Sequence, residues 1–171
     1  MITASHNPKE YNGYKIYDSH GCQLVPRLAD KVVEEIEKIE DYFLIDNSKN
    51  HELITYIDES IDRLYQDAVN SIRINKELKG NFKVVYTPLH GTGTVFMKEL
   101  LEQNGYNIIP VEEQMVPDGN FSTLKSPNPE EASAFEYAIN LGKKENADIL
   151  IATDPDADRM GIAAKNKEGE Y

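Results

Sequence analysis

The chain has 171 residues, 40% of them hydrophobic, enough for one ordinary core. Its net charge of −12 and only four arginines exclude a nucleic-acid partner, because a phosphate backbone demands clustered lysine and arginine. No apolar run approaches the ~20 residues that cross a bilayer, the start lacks a signal-peptide layout, and the single cysteine, Cys22, excludes an internal disulfide, so a cytoplasmic chain with no membrane partner is expected.

In chain order, Thr3-Ala4-Ser5-His6-Asn7-Pro8 places a hydroxyl in a sharp turn, and Asn12-Gly13 permits a second turn that could bring Lys15 back toward Ser5. Tyr14 to Asp18 and Cys22 to Val25 read as two strands around Ser19-His20-Gly21, a hairpin-like connection at the base of the serine loop. Pro26 then opens a helix whose apolar residues Leu28, Ala29, Val32, Val33, Ile36 and Ile39 keep helical spacing, with a solvated glutamate face opposite. The polar stretch Asp46-Asn47-Ser48-Lys49-Asn50 marks a domain boundary and divides the chain into 1–45 and 52–171.

Beyond it, Ile57, Ile61, Leu64, Ala68 and Ile72 predict an amphipathic helix. A strand at Phe82 to Tyr86, a helix from about Thr94 to Asn104 closed by Gly105, and a strand at Asn107 to Val111 follow. Asn128-Pro129-Glu130-Glu131 has the cap, first-turn proline and acidic residue of a helix start. Asp148 to Ala152 and Met160 to Ala164 read as a strand and its return. The alternation predicts an α/β, Rossmann-like three-layer domain.

The loop between those last strands, Asp154-Pro155-Asp156-Ala157-Asp158-Arg159, carries the chemistry. In extended backbone, residues two apart point to one side, so the three aspartates converge on one cation while Pro155 stiffens the loop. All-oxygen ligands select a hard ion, Mg²⁺ before Ca²⁺ or Mn²⁺, and open α/β sheets place ligands at the carboxyl ends of their strands. An EF-hand begins with the same alternation but needs Gly sixth and Glu twelfth, where this chain has Arg159 and Lys165. An aspartyl-phosphatase loop of the haloacid dehalogenase type, with Asp154 as nucleophile, stays open, although Asp158 stands where that loop expects a hydroxyl or β-branched residue. A solvated acidic turn is the remaining alternative.

Serines in turns ordinarily bond their own backbone; the neighbours of Ser5 give it weight. A phosphoserine carries about −1.5 to −2 charges and needs cations close by, and Lys9, Lys15, Arg159 and a metal are the candidates, with His6 able to move protons. His90-Gly91-Thr92-Gly93 lies between a strand and a helix, where its amides could face an anion. It lacks the Gly-Lys-Ser/Thr of a P-loop and the third glycine of a dinucleotide fingerprint, so it reads as a structural turn whose glycines allow tight packing. No His or Cys cluster suggests zinc.

Taken together, Thr-Ala-Ser-His-Asn-Pro, Tyr11-Asn12-Gly13-Tyr14-Lys15, Thr87-Pro88-Leu89-His90-Gly91-Thr92-Gly93 and Asp-Pro-Asp-Ala-Asp-Arg resemble the α-D-phosphohexomutase superfamily, most closely its phosphoglucomutase/phosphomannomutase branch, over essentially the whole chain. The resemblance implies that Ser5 carries the phosphoryl group and that Asp154, Asp156 and Asp158 hold Mg²⁺ together with a Ser5 phosphate oxygen. It implies Lys15 as general base or acid, His6 beside the phosphoserine and Arg159 reaching toward the phosphoryl site. The implied reaction moves phosphate between C1 and C6 of glucose or mannose through a bisphosphorylated sugar, with a glucose 1,6-bisphosphate-type activator and no nucleotide.

Such chemistry suits the residues, since phosphate monoesters need up to about 10²¹-fold acceleration and a loose transition state leaves the protein to supply position and charge. It also needs a cleft closed to water. Members of the superfamily have four domains around one cleft. By that measure this chain holds the end of the first, a similar α/β domain, and most or all of the second. Domains 3 and 4 are the expected partners, and the isolated chain is expected to be inactive, a metal-binding remnant.

Overall fold

Lys83–Thr87 (β1) is a run of β-branched and aromatic residues that is buried from Val84 onward, the pattern of a strand covered on both faces. The computed structural model describes residues 1–48, 51–77 and 80–171. They divide into two units, Met1 with Lys15–Lys76, and Ile2–Tyr14 with Glu77–Tyr171. Among the described residues no helix is long and apolar enough to cross a membrane.

In the first unit the two strands expected at Tyr14–Asp18 and Cys22–Val25 shrink to one bridge, Tyr17 to Gln23. The hairpin itself forms: Leu24 N–H donates to the Ile16 carbonyl and Asp18 N–H to that of Cys22, both at 2.9 Å, around Gly21 at φ 77°. Asp18 is why the ladder stays short, because its carboxylate accepts the His20 and Cys22 amides and builds a side-chain turn in place of further strand pairing. Helix α1 spans Pro26–Ile36 with proline in its first turn. It stops before the predicted Ile39, whose amide instead closes a tight turn onto the Ile36 carbonyl at 3.0 Å. Helix α2 spans Glu59–Ser71, capped by the Asp58 carboxylate on the Ser60 amide. The polar boundary predicted at Asp46–Asn50 ends in Lys49 and Asn50, which lie outside the described residues.

The second unit continues after β1 through helix α3 (Met97–Gln103), strand β2 (Asn107–Pro110), helix α4 (Glu136–Glu145) and the strands β3 (Ile149–Thr153) and β4 (Met160–Ala164). Gly105, at φ 88°, ends α3: its amide reaches the Glu102 carbonyl and the Tyr106 amide that of Leu101, the paired bonds of a left-handed helix stop. The helix predicted to begin at Asn128 starts later. Asn128 caps only a turn, on the Glu130 amide, because Glu131 is extended (φ −94°, ψ 129°) and a short 3₁₀ segment at Ala132–Phe135 precedes α4.

Among the described residues the sheet has four strands in the order β2-β1-β3-β4, parallel except for β4. One face packs Val85, Leu150 and Ala152 against Phe135 and Ala138; the other packs Val84, Tyr86 and Ile108 against Met97 and Leu101. This is the expected three-layer α/β arrangement. From β1 the chain goes to one neighbour, β2, and then crosses to the other, β3, so the crevice between the carboxyl ends of β1 and β3 is a topological switch point, where such sheets bind ligands.

The link between β2 and α4 contains a carboxylate-centred turn. Asp118 accepts the Ser122 and Asn120 amides at 2.8 and 2.9 Å, and hydrogen bonds from these two residues pull its pKa from 3.8 to about 2. A depressed carboxylate stabilises the folded turn above its unfolded pKa and ceases to do so as pH falls through the folded one. The turn is therefore expected to keep its amide protection above about pH 4 and to lose it toward pH 2, a transition that NMR-monitored acid titration will detect and that Asp118→Ala will remove.

Candidate active site

The loops leaving β1 and β3 emerge side by side because Thr87 pairs with Ala152 in the parallel register. Below them, the buried Tyr86 hydroxyl lies 2.9 Å from Thr153 Oγ1. The loop after β3 is the acidic one. It does not run extended as the sequence pattern suggested: Ala157 N–H donates to the Asp154 carbonyl at 2.9 Å, and Ala157 adopts φ 58° before the chain reverses into β4. The aspartates converge because the loop folds over itself, with carboxylate oxygens of Asp154, Asp156 and Asp158 all within 4.8 Å of one another.

Asp154 is fully buried, Asp156 half-buried and Asp158 exposed, so the cluster opens from the sheet end toward solvent. Burial pushes the Asp154 carboxyl up, and the neighbouring Asp156 charge adds to this, against the Arg159 amide and Ser5 hydroxyl, whose hydrogen bonds favour the ionised form. Three carboxylates brought this close repel unless a cation lies between them, and an all-oxygen set suits a hard divalent ion. By its donor chemistry and spacing the cluster fits a metal.

The serine loop belongs to the same unit as this cluster. It is tied at its base by the Ile2–Tyr14 bridge and by Thr3 N–H on the Gly13 carbonyl at 3.0 Å, an approach so close that a Cβ on Gly13 would strike the Thr3 carbonyl. The turn itself is closed by Asn7 N–H on the Ala4 carbonyl, with Ser5 at φ 50°. Ser5 Oγ donates to Asp154 Oδ2 at 2.9 Å and lies 3.2 Å from His6 Nδ1. Thr3 Oγ1 accepts the Ser5 amide at 2.9 Å and donates to Asp156 Oδ2 at 3.1 Å.

The sequence carries two matching family signatures: "Phosphoglucomutase/phosphomannomutase, alpha/beta/alpha domain II" over residues 56–169 and "alpha/beta/alpha domain I" over residues 1–43. The chain belongs to the phosphoglucomutase/phosphomannomutase family. It is 42% identical to a protein named phosphoglucomutase from Staphylococcus aureus (strain MRSA252), over 99% of this chain and 31% of that protein. The chain thus spans about a third of the length of the curated relatives it matches. Solved structures agree in fold: a phosphoglucomutase/phosphomannomutase family protein from Burkholderia thailandensis has TM-score 0.65 at 22% identity, covering 99% of this chain and 33% of that one. A structure from Thermus thermophilus has TM-score 0.69 at 24% identity, covering 96% and 36%.

Within this member of the phosphoglucomutase/phosphomannomutase family, Ser5, His6 and the three aspartates lie together in one unit. Arg159 joins them through its main chain, its amide donating to Asp154 Oδ1 at 2.9 Å, while its guanidinium pairs with Glu130 Oε1 at 2.9 Å. Lys15 belongs to the first unit, where its amide donates to the Met1 carbonyl at 2.8 Å. The glycine turn after β1 has its amides engaged by protein carbonyls, Gly91 on Pro88 within the turn and Thr92 on Pro155 of the acid loop, both at 2.8 Å. Sequence reasoning missed Thr3 as the link between the two loops. The signal was its place two residues before a turn serine, where a hydroxyl meets the following amide.

Proposed function

We propose that this chain is part of a Mg²⁺-dependent phosphotransferase that interconverts hexose 1-phosphate and hexose 6-phosphate, with glucose or mannose as the sugar, through a phosphoserine at Ser5 and a bisphosphorylated sugar. The observation that carries the reading is the contact of Ser5 Oγ with Asp154 Oδ2 at 2.9 Å, at the edge of a three-carboxylate cluster. The family signatures at 1–43 and 56–169 support assigning residues 1–45 to the end of domain 1 and 52–171 to domain 2. Domains 3 and 4, with the sugar-selecting groups, then complete the cleft, and the 171 residues alone turn nothing over.

Asp154, Asp156 and Asp158 would hold the ion, which when bound supplies positive charge to the phosphoryl oxygens. Ser5 presents its oxygen from a left-handed turn, fixed by Thr3, so that it faces the acid loop with little freedom to move. His6, with Nδ1 beside Ser5 Oγ, is placed to share the hydroxyl proton. Lys15 is assigned as general acid or base, and Arg159, whose amide anchors the acid loop and whose guanidinium rests on Glu130 Oε1, is assigned to the phosphoryl site.

The test is to incubate the full-length protein with glucose 1,6-bisphosphate labelled in its phosphates and to map the labelled peptide. Label is expected on Ser5, as an acid-stable ester absent from Ser5→Ala. A hydroxylamine-labile label on Asp154 would replace this reading with the aspartyl-phosphatase one.

A further inference from the structure

We infer that His90 is a positioning residue: through a chain of hydrogen bonds with the buried Thr87 and Gln114 and the half-buried Thr123, it fixes the turn that holds the acid loop at Pro155. The inference rests on the reading of Asp154–Asp158 as a metal loop.

Two successive residues of this turn, Leu89 at φ 48° and His90 at φ 66°, are left-handed, a conformation that side chains bearing a Cβ adopt only where the surroundings impose it. Both are buried. The surroundings are polar and fully directional. The Val116 carbonyl can only accept, so His90 Nδ1, 2.7 Å away, carries the proton. His90 Nε2 must then accept from Thr123 Oγ1 at 2.8 Å. Thr123 Oγ1 in turn accepts from Gln114 Nε2 at 3.0 Å, Gln114 Oε1 accepts from Thr87 Oγ1 at 2.6 Å, and Thr87 Oγ1 accepts the Leu89 amide at 3.1 Å. The His90 amide closes the circuit on the Gln114 carbonyl at 3.0 Å. Each donor has one acceptor, so one imidazole tautomer and one amide orientation satisfy the whole set.

What this circuit holds in place is the next dipeptide. Thr92 gives both its amide (2.8 Å) and its hydroxyl (3.1 Å) to the Pro155 carbonyl. Gly91 lies so close to Pro155 that a Cβ would collide with Pro155 Cα and its carbonyl oxygen. Pro155 is the residue between Asp154 and Asp156, so its position sets where those two carboxylates start. A polar network of this kind could serve local packing alone. The route through Thr92 to Pro155 predicts instead that damage at His90 is felt in the acid loop.

The experiment measures amide hydrogen exchange of metal-free full-length protein by mass spectrometry, comparing His90→Leu, His90→Asn and Thr123→Val, with Mn²⁺ titration of each. Exchange across residues 154–159 is expected to speed up about 10-fold in His90→Leu and Thr123→Val, with β2 and α4 unchanged. The Mn²⁺ dissociation constant rises by about 10-fold, the lower end for loss of a group that orients a ligand. His90→Asn, which keeps a donor for Val116, restores part of both. Unchanged exchange at 154–159, or a rise shared equally by β2 and α4, would overturn the inference. Thr123→Val, the milder change, decides the matter should His90→Leu fail to fold. Wild-type protein that binds no Mn²⁺ while the variants still show loosening confined to 154–159 would remove the metal reading and leave the positioning role standing.

Discussion

Changing Asp154 to asparagine is expected to abolish divalent-ion binding and, at the same time, to make the metal-free protein more stable. The asparagine would fill the same space: its oxygen can accept the Arg159 amide as Asp154 Oδ1 does, and its nitrogen can donate to Ser5 Oγ in place of Oδ2. What disappears is a buried negative charge, disfavoured by burial and by Asp156. The ion, however, loses the most enclosed of its carboxylates. Groups that merely orient a metal ligand are worth about 10–100-fold in affinity, so loss of a ligand itself should exceed about 100-fold. Titration calorimetry with Mg²⁺ and thermal denaturation in chelator measure the two effects. Unaltered affinity would move the metal elsewhere. A fall in apo stability would mean that the hydrogen bonds on Asp154 outweigh its repulsion from Asp156.

Gly91→Ala is the second large effect. At φ −97° the backbone there tolerates any residue, so the requirement for glycine is one of space. The atoms a methyl would strike belong to the Pro155 main chain, which cannot swing aside as a side-chain tip would. Either the turn after β1 retreats and gives up the Thr92 bonds, or the acid loop shifts outward. Overpacking of this kind costs about 1–3 kcal/mol. A drop of that size in unfolding free energy, read from denaturant titration and accompanied by weaker Mg²⁺ binding, is expected. Gly119→Ala is the control, since a Cβ there meets open space. Equal effects from both substitutions would count against the close approach at Pro155.

Legibility in the sequence followed from how local each signal was. The strands of the sheet were readable because β1 and β3 are short apolar runs, largely buried, whose residue types suit a covered strand. The start of α4 was not, because Asn128-Pro129 is a valid cap whose outcome depends on Glu131 three positions on. The aspartates were identified by composition, but their convergence does not come from strand alternation: a turn through Ala157 brings them together. The pairing of serine loop and acid loop was legible only through resemblance, since no periodicity connects positions 149 residues apart. The link through Thr3 and the role of Gly91 depend on tertiary approach, which a single sequence does not display.

That separation of 149 positions also shapes the order of events during biosynthesis. A ribosome adding about 5–20 residues per second completes the acid loop roughly 7–30 s after the serine turn has left the peptidyl-transferase centre. Until then the hydroxyl has no carboxylate to bind. Assembly must wait for the slowest, least local closure in the unit, so newly made chains should acquire ion affinity later than they acquire helix content.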